Sequence, residues 1–402
     1  MKAPLFIRNL YFRYFFQVKK GKCLFIPHPG FCKLDKASII NYKADNCLIF
    51  VRYLLENNLY ADKELVVVST TPERAQNEQA FCRENYPKAN IRIIPEISRI
   101  IKAEWASSER IFRSEDSFPI RKKKGQKYIC LSYYPISLKN DCYGPQTMHL
   151  GYRAKLTSEV DIMVSSSLIN SQMDSVAFEI PFYKFLPIGK MRSDILLHDE
   201  DVSFVRDYFK TRCGDYLFAK IILYTPTHRD YENTIFDIKR SILGFEYDKK
   251  KFEHFLQENK LLIVCKLHPH QNTEVVDTEL PMGVVNFKGS ENFGLVELMK
   301  ASDILMTDYT STYVDYLLLD KPVLFNFYDK DIYEEKRGLA FYPFEQICAG
   351  EIFKDEKSFY QAVTTTLKEP KKHARERLDM LEHLNTYHTN VCEKTYNAIF
   401  NE

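Results

Sequence analysis

Residues 302–329, SDILMTDYTSTYVDYLLLDKPVLFNFYD, carry the pattern that decides the fold. An apolar run, DILM, leads into a polar cluster, Thr307-Asp308-Tyr309-Thr310-Ser311-Thr312. A helical stretch, STYVDYLLL, follows and is stopped at Asp320-Lys321-Pro322, after which a second apolar run, PVLFNF, begins. Both runs are apolar at consecutive rather than alternate positions, as in strands covered by helices on both faces. Strand, helix and strand of this kind make one parallel β–α–β unit.

The alternation extends outward from this unit. Strands KIILYT (220–225), LLIVCKL (261–267), VVNFKG (284–289), DILMTD (303–308) and PVLFNF (322–327) alternate with helices near 249–258, 293–301 and 311–319. An earlier series has strands KCLFIP (22–27), ELVVVS (64–69), IRIIP (91–95), KYICLSY (127–133) and DIMVSS (161–166). Its helices are CLIFVRYLLENN (47–58) and ERAQNEQAFCRENY (73–86). Two such series predict an α/β protein of two Rossmann-like domains with parallel sheets facing a central cleft, over 22–195 and 196–402. A last helical stretch, about 370–400, is long enough to return to the first domain.

Composition narrows the function. Lys+Arg 56 against Asp+Glu 54 leaves a net charge of +2, which argues against a nucleic-acid partner. Ten cysteines without a CxxC pair predict free thiols in a reducing, cytoplasmic setting, with neither a disulfide framework nor a zinc site. No apolar run is long enough to span a bilayer. Residues 1–21 form an aromatic and basic helix (Phe6, Arg8, Tyr11, Phe12, Arg13) for which two readings stay open: lying on an anionic membrane surface, or packing on its own domain. The run RKKKGQK (121–127) reads as a solvated turn or a face for an anionic acceptor.

In an open parallel sheet, ligands bind beyond the carboxyl ends of the strands. Three strands of the second series end there in polar clusters: Pro226-Thr227-His228-Arg229-Asp230, His268-Pro269-His270, and Thr307 to Thr312. Ser311 or Thr312 is placed to cap the helix that follows, whose free N–H groups and positive dipole end suit a phosphate. The hydroxyls of Thr310, Ser311 and Thr312 add donors. Arg229 has the planar fork for a pyrophosphate, or else pairs at the surface with Asp230 or Asp237. His268 at this rim is suited to donate to phosphate. Asp329-Lys330-Asp331 has the look of a metal-binding DxD but reads as a solvated turn after a strand. No cofactor and no tightly held metal are expected; a loosely held magnesium ion is compatible with the pattern.

These residues resemble a known family. Residues 302–329 together with YTPTHRD (224–230) and KLHPH (266–270) look like the CDP-glycerol glycerophosphotransferases, which build the polyol-phosphate chains of teichoic acids and some capsules. IGKMRSDIL (188–196) and DNCLIFVRYL (45–54) extend the resemblance more faintly. It implies a GT-B architecture, with an acceptor domain first and a CDP-donor domain second. It implies Thr227 and Arg229 lining the donor phosphates, His268 on the pyrophosphate, and Ser311 and Thr312 cradling it. It also implies that Asp308 and Asp315 support that loop or hold the donor's hydroxyls.

The family's general base lies in a segment ending Gln-Thr-Trp-His-Gly. This chain has Gln146-Thr147-Met148-His149-Leu150-Gly151, which makes His149 the base candidate, although Trp is Met and a residue separates His149 from Gly151. His28, in IPHPGF, stands second and reads as a loop histidine between prolines. The expected partners are a CDP-polyol, with glycerol or ribitol open, and a glycan or lipid-linked acceptor. The expected place is the cytoplasm, peripheral to the inner membrane face. Two rivals remain: a GT-B glycosyltransferase using a nucleotide sugar, and a non-catalytic protein that keeps the donor fold.

Overall fold

Short apolar strands of three to eight residues, most of them followed by a helix, set the architecture. The computed structural model describes residues 15–28, 43, 45–115, 118, 120–132, 136–139, 159–227, 229, 241–267, 280–290 and 293–401. They fall into two units, one drawn from 1–133, 148–195 and 387–402, the other from 134–147 and 196–386.

The first unit carries a seven-stranded sheet of β1 (Lys19–Ile26), β2 (Glu64–Ser69), β3 (Ile91–Pro95), β4 (Ser108–Arg113), β5 (Lys127–Cys130), β6 (Ile162–Ser165) and β7 (Phe185–Pro187), in the order β3-β2-β1-β4-β5-β6-β7. Every pairing is parallel. Leu24, Phe25, Val66, Val67, Ile111 and Phe112 are fully buried at its centre. Asp45 caps helix Asn46–Glu56 by accepting the Leu48 N–H at 3.2 Å. Thr71 caps helix Pro72–Asn85, whose leading proline loses no helical hydrogen bond.

The second unit repeats the plan with β8 (Lys220–Thr225), β9 (Leu261–Cys265), β10 (Val284–Asn286), β11 (Ile304–Thr307), β12 (Val323–Asn326) and β13 (Glu351–Phe353), again all parallel, in the order β10-β9-β8-β11-β12-β13. All five residues of β9 are buried, as a strand covered on both faces requires. Phe252, Phe353 and Phe359 fill one side of this sheet. In both sheets the strand order reverses between the first and fourth strands, β1/β4 and β8/β11. Such a switch point opens a ligand crevice at the strands' carboxyl ends.

Several sequence expectations need correction. Lys19 and Lys20 lie on β1 rather than on an N-terminal helix, and Lys22, on the strand as expected, is buried against Glu104 at 2.7 Å. Residues 1–14 of that segment lie outside the described residues. RKKKGQK is a turn, yet Lys123 donates to the Phe16 and Ala106 carbonyls and Lys122 pairs with Asp161. Those two cations are therefore used inside the unit. The stretch 370–400 is two helices, Ala374–Leu384 and Val391–Phe400. Between them the run NTYHTN favours turns, and Asn390 takes a left-handed φ of 52°. Helix Thr312–Tyr316 is short and tightens into a 3-10 turn at Leu317–Leu319 before Asp320, at φ 45°.

Candidate active site

The register of the second sheet assembles the site. β8 and β11 pair with Thr225 opposite Thr307, so the residues after them, Thr227 and Asp308, meet at the switch point. Asp308 is 1% exposed. Its Oδ1 accepts the Thr227 N–H at 2.9 Å, the Thr227 hydroxyl at 2.6 Å and the Tyr309 N–H at 2.6 Å. Its Oδ2 accepts Arg229 Nη1 at 2.5 Å. A buried carboxylate is tolerated only when donors surround it in this way.

Arg229 is itself 7% exposed. Its Nη1 also donates to the Thr227 carbonyl at 2.5 Å, while Nε and Nη2 donate to the two oxygens of Asp329, each at 2.9 Å. Burial disfavours the charge, but Asp308 and Asp329 outweigh it and hold the guanidinium pKa well above that of an ordinary arginine. Asp230 and Asp237, the alternative partners offered by the sequence, lie outside the described residues, and the turn after β12 supplies Asp329 as the partner. Asp329, read from the sequence as part of a solvated turn, is 6% exposed and opens helix Lys330–Arg337. Its pairing spans 100 residues of chain, which local pattern does not reveal.

Beyond Asp308 the chain turns into helix Thr312–Tyr316. Thr310, Ser311 and Thr312 are half-buried, with the Thr310 and Thr312 hydroxyls 3.3 Å apart and the Thr312 N–H directed at Thr310 Oγ1 at 3.4 Å. Ser311 occupies the cap position without a side-chain cap bond, so the local capping partner is Thr310. Asp315 is buried within the helix. Tyr313 donates to the Ile347 carbonyl at 2.7 Å and Tyr316 lies 3.0 Å from Ser302 Oγ, which fixes this helix against its neighbours. The site thus brings together Thr227, Arg229, Asp308 and the Thr310–Thr312 turn. His149, His268 and His270 lie outside the described residues.

In the first unit, His28 follows β1 at the corresponding switch point. Its N–H donates to Asp45 Oδ2 at 2.9 Å and its Nε2 lies 3.7 Å from Glu115 Oε1. Ser114 Oγ, after β4, donates to Asp45 Oδ1 at 2.9 Å. Burial lowers the His28 pKa against the opposing pull of Glu115 and Asp45, which favours the neutral imidazole.

Two sheets in Rossmann order, with threonine hydroxyls gathered at a switch point, define a doubly wound α/β protein of the GT-B type. The chain belongs to the CDP-glycerol:poly(glycerophosphate) glycerophosphotransferase family, whose profile matches residues 40–401. It is similar to a teichoic acid glycerol-phosphate primase of Bacillus spizizenii, with 38% identity over 120 residues, 30% of this chain and 28% of that one. A teichoic acid ribitol-phosphate primase of the same organism is 28% identical over 235 residues, 56% of this chain and 55% of that one. The matched stretches thus span between about a quarter and just over half of those relatives' length. The solved structure of the wall teichoic acid polymerase TagF superposes with a TM-score of 0.73 at 18% identity, covering 96% of this chain and 89% of that one. Among the described residues no helix is long and apolar enough to cross a membrane.

Proposed function

We propose that the protein transfers a polyol phosphate, glycerol phosphate in the first instance, from a CDP-polyol to a hydroxyl of a glycan or lipid-linked acceptor in teichoic-acid or capsule synthesis. The observation that carries this reading is the family match across most of the chain, together with the threonine-rich turns at the β8/β11 switch point. The pyrophosphate lies at the Thr310–Thr312 turn, with His268 donating to it. His149 takes the acceptor proton as the hydroxyl oxygen attacks the phosphorus bearing the polyol. That P–O bond forms as the bond to the bridging oxygen breaks, and CMP leaves. The donors around the phosphoryl oxygens stabilise the charge that develops there. The acceptor places the reaction on the cytoplasmic side, at the inner membrane face when it is lipid-linked.

Thermal unfolding in the presence of candidate donors tests the donor class. A ligand at about one hundred times its Kd stabilises by about 2.7 kcal/mol, which corresponds to a rise of roughly 5–10 °C for a unit of this size. CDP-glycerol or CDP-ribitol should produce that rise, while UDP- and CMP-sugars should not. Protection by a UDP-sugar with no response to either CDP-polyol would make the protein a sugar transferase instead.

A further inference from the structure

Arg229 is enclosed far more completely than a phosphate ligand needs to be. Its guanidinium lies 5.4 Å from the ring centres of Tyr309 and Tyr328 and 5.0 Å from that of Tyr333. Tyr309 stacks on Tyr333 at 4.1 Å and on Phe327 at 5.5 Å, so the cage continues into the packed aromatics below the rim. Of the five N–H donors on an arginine, four bonds here go to protein acceptors: two to Asp329, one to Asp308 and one to the Thr227 carbonyl. Turning the fork toward a phosphate would leave two buried carboxylates without their cation.

The partners come from three neighbouring strand ends. Thr227 follows β8, Asp308 follows β11 and Asp329 follows β12, with Arg229 79 residues from Asp308 and 100 from Asp329. The guanidinium therefore ties together the turns that carry the Thr227 and Thr310 hydroxyls. We infer that Arg229 is a positioning residue, and that Asp329 holds it there to set the shape of the CDP-polyol site. The inference rests on the proposed donor reading of this rim.

The two roles predict opposite behaviour for Asp329. If Arg229 bound the donor's phosphates, Asp329 would compete for its fork, and Asp329→Asn would leave CDP-glycerol binding unchanged or tighter. A positioning Arg229 needs Asp329, so losing either partner loosens the same turns. The experiment is equilibrium binding of CDP-glycerol, with donor and acceptor KM, for the full chain and for Asp329→Asn, Arg229→Gln and the double variant. We expect each single variant to weaken CDP-glycerol binding about tenfold or more. The double variant should be no weaker than Arg229→Gln alone, the non-additivity of groups acting as a unit. The acceptor KM should not move, whereas a general loss of folded protein would leave both KM values unchanged and lower only the apparent rate.

Tight binding by Asp329→Asn with weak binding by Arg229→Gln would make Arg229 a phosphate ligand and overturn the proposal. So would unchanged binding in both. Should Asp329→Asn fail to fold, Tyr333→Leu removes one wall of the cage without stranding a charge. Its donor KM should rise, and an unchanged value would count against the proposal. Failure of the unmodified protein to bind CDP-glycerol would overturn the donor reading and this inference together. Binding by the unmodified protein with no effect of the variants would overturn the inference alone.

Discussion

Asp308→Ala is expected to destabilise the second unit by about 3–5 kcal/mol, the usual cost of removing one partner from a buried ion pair. Asp308 is the common acceptor for the Thr227 N–H and hydroxyl, the Tyr309 N–H and Arg229, and it is almost wholly buried. Alanine leaves those donors facing a space that has no acceptor, and leaves Arg229 with one carboxylate instead of two. With a urea m-value of about 2–3 kcal/mol/M for a unit of this size, the midpoint should fall by roughly 1–2.5 M. Urea titration followed by far-ultraviolet circular dichroism measures it. Amide exchange should show the loss concentrated in β8 and β11, because these are the strands whose ends Asp308 joins. An unchanged midpoint would mean that Asp308 is not the hub of this rim.

His149→Ala is expected to lower the rate of polyol-phosphate transfer by about 10²–10⁴, the range for losing a general base, with CDP-glycerol binding nearly unchanged. The split follows from the proposed roles: His149 serves the acceptor hydroxyl, whereas the donor is held at the β8/β11 rim. Single-turnover transfer alongside equilibrium donor binding separates the two. A fully active His149→Ala protein would remove His149 from the mechanism. Attention would then pass to His28, which already has a base's surroundings. Burial lowers its pKa, its backbone is held by Asp45, and Glu115 lies 3.7 Å from its Nε2.

Much of the second unit is legible in the sequence, for a physical reason. Strands such as KIILYT and LLIVC are buried on both faces, so their apolar runs are continuous and hard to mistake. The same logic hides β4. SERIFR carries Glu109 and Arg110, half-buried side chains that pair with each other, so the strand that forms the first unit's switch point reads as a polar segment. The short strands β7 and β13 give too little period to register.

The site divides in a similar way. Thr227, Asp308 and Thr310 stand directly after strands, where position alone marks them. Asp329 also follows a strand, but its role and that of the tyrosine cage are hidden, because what defines them is contact across three strand ends rather than spacing along one. Arg229 shows the limit most clearly. Its residue type suggests a phosphate clamp, and only its partners reveal that the fork is turned inward. A residue's chemistry is readable from sequence, but the direction in which a fold points it is not.

The central claim is the transfer itself. The most direct measurement incubates the full chain with CDP-glycerol, with and without a lipid-linked glycan acceptor, and follows CMP release and the mass of the acceptor. The account predicts CMP only when acceptor is present, with the acceptor gaining one glycerol phosphate for each CMP formed. The same experiment with CDP-ribitol identifies the polyol. No CMP from either compound, with acceptor mass unchanged, would contradict the account.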